Sequence, residues 1–127
     1  EAGDDVLKAV AKCLIQHVRQ IDVVGRLGGE EFVIFLPVTA LPGSMKVGES
    51  LRQAIEQLRI PMRQHEELRV TASLGAAEIR TSDQSVSDAL TRADAAMYQA
   101  KSTGRNRVVA ADAPDLATTA STTPPAP

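Results

Sequence analysis

The sequence has no tryptophan, one cysteine, and only three aromatic rings, Phe32, Phe35 and Tyr98. A core with so few rings must be filled by Val, Leu, Ile and Ala. The lone Cys13 excludes an internal disulfide and a cysteine metal cluster, and it fits a reducing compartment. The two histidines, His17 and His65, lack ligand spacing and read as surface residues. No apolar run is long enough to span a bilayer. Basic charge is not in excess either. There are 14 Lys and Arg against 16 Asp and Glu, a formal net charge of −2 at pH 7. That argues against a non-specific nucleic-acid binder and against a polybasic membrane-surface module. No internal repeat is visible, and no signal peptide is expected from the residues given. There is also no initiator Met, so the abrupt opening Glu1-Ala2-Gly3-Asp4 reads as a piece of something longer.

What is present suits one soluble domain. A chain of 127 residues with 43% apolar content can bury a single core. Gly3-Asp4-Asp5 reads as a helix start, with Asp near the positive end of the dipole. Val6, Leu7, Val10, Ala11, Leu14, Ile15 and Val18 then recur at helical spacing, which predicts a helix to about Arg19. Cys13 lies on it as a packing residue. Leu41-Pro42-Gly43-Ser44 reads as a loop into a second helix, Ser44 to about Arg59, terminated by Pro61. Leu68 to Ile79 alternates like a strand, and Gly75 within it marks a bulge or a close backbone approach. A polar loop follows, then a third helix from Val86 to Ser102 with Gly104 as its left-handed cap. Asn106 to Ala110 is a last short strand. From Ala111 onward Ala, Thr, Ser and Pro dominate, a composition that predicts a disordered tail over 111–127. The order α-ββ-α-β-α-β predicts an α/β sandwich with helices packed on a mixed, mostly antiparallel sheet.

The most informative stretch is Gly28-Gly29-Glu30-Glu31-Phe32. Val23-Val24-Gly25-Arg26-Leu27 precedes it and Val33-Ile34-Phe35-Leu36 follows. Apolar, β-branched runs around a Gly-Gly pair predict a β-hairpin. Its tip then carries two adjacent carboxylates on a backbone that glycine leaves open to close approach. Taken alone, that tip is either a solvated acidic turn or a place where a phosphate chain meets a metal ion on the glutamates.

Other stretches decide between the two. Gly28-Gly29-Glu30-Glu31-Phe32 resembles the signature of the GGDEF (GGEEF) domain of diguanylate cyclases. Gly3-Asp4-Asp5-Val6-Leu7 is similar to that family's Gly-Asp-x-x-Leu motif. Arg19-Gln20-Ile21-Asp22 resembles its Arg-x-x-Asp inhibitory motif, with five residues between Asp22 and Gly28 as the family has it. Arg92-Ala93-Asp94 through Met97-Tyr98-Gln99-Ala100-Lys101, then Gly104-Arg105-Asn106-Arg107-Val108, resembles its C-terminal signature. Four spaced matches cover Gly3 to Val108.

The resemblance implies a fold close to the polymerase palm and the nucleotidyl cyclases, with a GGDEF domain over residues 1–110. It implies an enzyme that condenses two GTP into cyclic di-GMP as a homodimer with Mg²⁺ or Mn²⁺. Glu30 would hold the metal and help deprotonate the attacking hydroxyl, with Glu31 beside it in the catalytic turn. Gly28 and Gly29 would admit the phosphates. Asp4 would accept hydrogen bonds from the guanine edge, and Leu7 would pack against the base. Lys101 and Arg105 would grip phosphate. Arg19 and Asp22 would bind the product at an inhibitory site, where the helix after the hairpin has Ser50 in place of a further basic residue. Without the family, the competing readings are a helix cap for Asp4, a core leucine for Leu7, dipole compensation for Lys101 and Arg105, and a local salt bridge for Arg19 and Asp22. Arg26 reads as a surface or structural arginine.

The family domain begins earlier, with a strand carrying a second metal-binding Asp and then a helix with a further guanine-binding Asn. Neither is in this sequence, so the polypeptide as written is expected to be inactive alone. An upstream sensory domain and a cytoplasmic reaction are further expectations, with membrane tethering of the parent protein left open. The alternatives to an enzyme are a cyclic di-GMP receptor acting through Arg19 and Asp22, and a module that only dimerises.

Overall fold

The computed structural model describes residues 2–62 and 66–111. His65, and the proposed tail from residue 112 onward, lie outside the described residues. The described elements are α1 (Ala2–Gln16), β1 (Val23–Gly28), β2 (Glu31–Phe35), α2 (Leu41–Gln57), β3 (Ile60–Pro61), β4 (Glu67–Leu68), β5 (Leu74–Ala76), α3 (Val86–Ser102) and β6 (Val108–Ala110). The α/β architecture agrees with the sequence pattern, and the element order differs from it by the short pair β3 and β4 between α2 and β5. Two of the three strand pairs are antiparallel, β1 with β2 and β3 with β4, and β5 with β6 is parallel.

Several boundaries move, each for a local reason. α1 stops at Gln16 rather than near Arg19. The Asp22 carboxylate accepts from the Arg19 backbone N–H at 2.7 Å, and Asp22 N donates to Arg19 O at 3.0 Å, which turns the chain out of the helix. Asp4 and Asp5 lie inside the first turn of α1, so Asp4 favours the dipole and is not a cap preceding the helix. α2 begins at Leu41, because Pro42 stands at the first turn, where its missing N–H costs nothing. The same helix ends at Gln57, and Pro61 instead sits in β3, whose pairing with β4 the sequence pattern did not show. The strand expected over Leu68–Ile79 is broken. Leu68 belongs to β4 and pairs with Ile60 of β3, residues 74–76 pair with β6, and residues 69–73 between them join no ladder. α3 runs over Val86–Ser102 as predicted, and the Gly104 cap is present: φ is +130° and Arg105 N reaches back to Ala100 O at 2.8 Å.

The core is aliphatic. Cys13 and Leu14 of α1 meet Leu51 and Ile55 of α2, and Val24, Phe32, Ile34 and Leu74 pack around them. Burial pushes the Cys13 thiol pKa up, consistent with packing rather than reactivity. Gly75 is a close approach: a Cβ there would overlap the Ala93 carbonyl and the Met97 amide of α3. Arg92 ties α3 to the preceding loop, forking onto Asp83 at 2.8 and 2.9 Å and reaching Glu78 O at 2.8 Å.

Between β2 and β5 lies a slot of about 680 Å³, floored by α2 and α3 residues such as Val47, Leu51, Leu90 and Met97. Consecutive residues of β2 and of β5 line it, not alternate ones. Successive side chains of a strand point to opposite faces, so an unbroken lining means the strands present their edges. Among the described residues, each of the two has a ladder partner on one side only.

Candidate functional site

The hairpin carries the carboxylates as the sequence predicts. β1 and β2 pair from Val23↔Phe35 to Gly28↔Glu31, leaving Gly29 and Glu30 as the tip. Leu27 has no partner opposite it, so a bulge sits one step before the turn. Gly28 and Gly29 have φ of +144° and +52°, which a side chain would strain, and a Cβ on either would meet nothing within 4 Å. The backbone at the tip is therefore open on its outer side.

Arg26 gives the tip its shape. Its Nε and Nη2 both donate to the Gly29 carbonyl, at 2.9 and 2.6 Å. The structural reading of this arginine holds, and it acts on the turn itself. The residue types of 26–29 do not show which way the arginine folds, so the clamp is seen only in the structure. Glu30 is exposed and Glu31 is half-buried. Neither carboxylate makes a hydrogen bond or ion pair among the described residues.

The other residues singled out by the sequence fall on separate elements. Asp4 and Leu7 occupy the first two turns of α1, Asp4 exposed and Leu7 half-buried. Lys101 is in the last turn of α3 and Arg105 just beyond it. The side chains of Asp4, Lys101 and Arg105 are likewise unengaged among the described residues. No hydrogen bond or ion pair joins these groups to the tip.

Arg19 and Asp22 do meet. Arg19 Nη2 lies 2.8 Å from Asp22 Oδ1, and its Nε is shared between the two oxygens at 3.2 Å. The same Nη2 also donates to Pro37 O and Thr39 Oγ1. The Asp22 side chain is 1% exposed and that of Arg19 is 52% exposed. The Arg19 hydrogen bond holds the Asp22 pKa below its ordinary value. This is the local salt bridge at a helix end. Arg19 is the exposed member of the pair and Asp22 the buried one. Arg52, two residues beyond Ser50, has its guanidinium committed to Glu49, Glu56 and Asn106.

A metal ion would need more than the tip. Carboxylate oxygens are the hard donors Mg²⁺ takes, and that ion is commonly held by one or two carboxylates with phosphates and water. Among the described residues, no group of three or more His, Cys, Asp or Glu side chains gathers. The exposed Glu30 carboxylate is a donor of that kind, engaged by no other group among the described residues. Among the described residues, no helix is long and apolar enough to cross a membrane.

An antiparallel hairpin, a parallel strand pair and three packed helices place the chain in the palm-like class of α/β folds. The family model for the diguanylate cyclase GGDEF domain matches residues 1–107. The chain is 38% identical over 107 residues to diguanylate cyclase A of Treponema denticola, covering 84% of this chain and 29% of that protein. It is 38% identical over 110 residues to the response regulator PleD of Caulobacter vibrioides, covering 86% of this chain and 24% of PleD. Among solved structures, the GGDEF domain of DgcB from Caulobacter crescentus, in complex with c-di-GMP, superposes with a TM-score of 0.82 at 32% identity, over 88% of this chain and 66% of that one. Diguanylate cyclase SiaD of Pseudomonas aeruginosa, in complex with its activator SiaC, gives 0.80 at 39% identity, over 85% and 41%. The chain belongs to the GGDEF domain family of diguanylate cyclases. It spans less than a third of the two named curated relatives.

Proposed function

We propose that this chain is the larger part of a diguanylate cyclase catalytic domain, condensing two GTP into cyclic di-GMP and two pyrophosphates. The observation that carries the reading is the hairpin tip, where two carboxylates unengaged among the described residues stand on an open glycine backbone clamped by Arg26. Lys101 and Arg105 are likewise unengaged there, and they suit the phosphate end of a nucleotide. The cyclic di-GMP held by the DgcB domain supports the product.

In this reading each subunit of a homodimer holds one GTP. Asp4 accepts from the guanine N1 and N2 donors, Leu7 packs against the base, and Gly28 and Gly29 let the phosphates approach the backbone. Lys101 and Arg105 hold the phosphate oxygens. Glu30 takes the proton from the 3′-hydroxyl, whose oxygen attacks the α-phosphorus of the facing GTP, and pyrophosphate leaves. Two such steps close the ring. Glu31 supports Glu30 in the turn. Bound Mg²⁺ or Mn²⁺ would supply charge neutralisation at the phosphates, with Glu30 as a protein ligand.

The domain spans residues 1–110 and is completed by a strand preceding Glu1. The slot between β2 and β5 has strand edges on both sides, which is the space one strand occupies. That strand brings the second metal-binding carboxylate, so the 127-residue polypeptide alone makes no product. Arg19 and Asp22 receive cyclic di-GMP as an inhibitor, with Arg19 releasing Asp22 on binding. The parent protein couples the domain to an upstream sensory unit, and the reaction takes place in the cytoplasm, where GTP is.

The test is GTP turnover with Mg²⁺, product identified by mass, in protein that carries the preceding segment, against Glu30→Ala. Product from the parent and none from the variant is expected. No product from a folded, dimeric parent would move the reading to a cyclic di-GMP receptor acting through Arg19 and Asp22.

A further inference from the structure

The turn after α3 has an unusual backbone. Gly104, Arg105 and Asn106 all have positive φ, at +130°, +62° and +50°. Glycine adopts this region freely and asparagine tolerates it, but arginine does not. Something outside the turn must hold it. Asn106 provides the link. Its Oδ1 accepts from Arg52 Nη1 at 2.9 Å, and its Nδ2 donates to Glu56 Oε2 at 2.9 Å. Arg52 Nη1 in turn reaches Glu56 Oε1 at 3.2 Å, which closes a three-residue ring. Glu49 accepts from Arg52 Nε and Nη2 at 2.8 and 2.6 Å and fixes the guanidinium plane. Asn106 N donates to Ser73 Oγ at 3.3 Å just before β5, and Arg107 Nε donates to Arg105 O at 3.1 Å. The Arg52 side chain is only 14% exposed, so the ring is partly shielded from water.

We propose that Arg52, Glu56 and Asn106 form a brace from α2 that fixes the left-handed turn, and so aims Arg105, alongside Lys101 of α3, at the phosphates of the substrate. They are positioning residues, since they act through the turn that carries Arg105 and make no hydrogen bond to the hairpin tip among the described residues. The inference rests on the phosphate role proposed for Lys101 and Arg105. In chemical terms, α2 sets the affinity of the domain for a nucleoside triphosphate without touching it.

Two variants separate the brace from backbone preference. Asn106→Gly keeps the left-handed backbone and deletes the amide, and Arg52→Met keeps the apolar stem and deletes the fork. The readouts are the KM for GTP and kcat in the protein carrying the preceding segment, and amide hydrogen exchange over residues 104–107. Each variant is expected to speed exchange there about 10-fold and raise KM about 10-fold, with kcat changed less than about 3-fold. The double variant is expected to match the worse single one within about 2-fold, because both break one ring. Exchange at the turn unchanged in both variants overturns the brace. Faster exchange with unchanged KM overturns its link to phosphate. If the parent turns over no GTP, the cyclase reading fails separately, and affinity for inorganic tripolyphosphate, read by calorimetry, replaces KM. A fall of similar size then supports the brace, and an unchanged affinity overturns it.

Discussion

Gly75→Ala should be among the most damaging single-methyl changes in this domain. The glycine lies in β5, and a Cβ built on it would overlap the Ala93 carbonyl oxygen and the Met97 amide nitrogen. Both are backbone atoms of α3. They cannot rotate away, and α3 is itself anchored by buried Ala89, Ala96 and Ala100. Overpacking a core usually costs about 1–3 kcal/mol, and a rigid backbone neighbour puts this case at or above the top of that range. A loss of about 3 kcal/mol would lower the Tm by roughly 12 °C or more for a domain of this size. Gly48→Ala is the control. Gly48 is also buried, but its Cβ would meet the Val108 Cγ1 at 3.0 Å, a side-chain methyl that can shift. Alanine also recovers about 0.5–1 kcal/mol of helix propensity there. The net change should lie within about 1 kcal/mol of zero. Urea unfolding followed by far-UV circular dichroism would compare the two. A Gly75→Ala protein within about 0.5 kcal/mol of the parent would refute the packing argument.

Leu51→Ala removes the largest fully buried side chain among the described residues, 2% exposed between α1 and α2, and should cost about 2–5 kcal/mol by the same assay. Arg26→Met deletes both donors to the Gly29 carbonyl. It should cost about 1 kcal/mol or less in stability yet lower kcat on the order of 10-fold, because the carboxylates lose their fixed position. Equal kcat for this variant would show that the clamp is incidental. Acid should also destabilise the fold. Arg52 holds Glu49 at a pKa of about 2, and Arg92 holds Asp83 at about 2, with Asp22 lowered by Arg19. These folded pKa values lie below the ordinary 4.5 and 3.8, so the stabilisation is complete above about pH 4.5 and is lost as pH falls toward 2. Urea midpoints that stay level from pH 5 to about 2.5 would contradict this.

The hairpin tip was legible in the sequence because its residues are close together along the chain. The glycines and glutamates of the tip form one turn, and turn chemistry is local. The same holds for α3, whose start, end and glycine cap follow from spacing within a few residues. What was not legible depends on partners far away. The pattern alternates over Val70–Leu74, yet the strand forms at 74–76, where β6 lies beside it, and alternation cannot name a neighbour. Pro42 reads as a breaker until its place in the first turn of α2 is known. The Arg19–Asp22 motif is visible as a spacing, but its closure by Pro37 and Thr39 is not.

The sequence by itself determined the family, the acidic glycine hairpin and the aliphatic character of the core, since each rests on residue type and short spacing. Tertiary structure decided which groups are held and which remain unengaged. Arg52 and Asn106 are 54 positions apart, and only the packing of α2 against β5 and β6 brings them within 2.9 Å. Gly75 is required by a helix backbone that the local sequence does not reveal. The slot between β2 and β5 likewise arises from two strand edges held apart by the helices beneath them. Hydrogen bonds and close contacts of this kind are set by three-dimensional distance, and a linear pattern carries no measure of it.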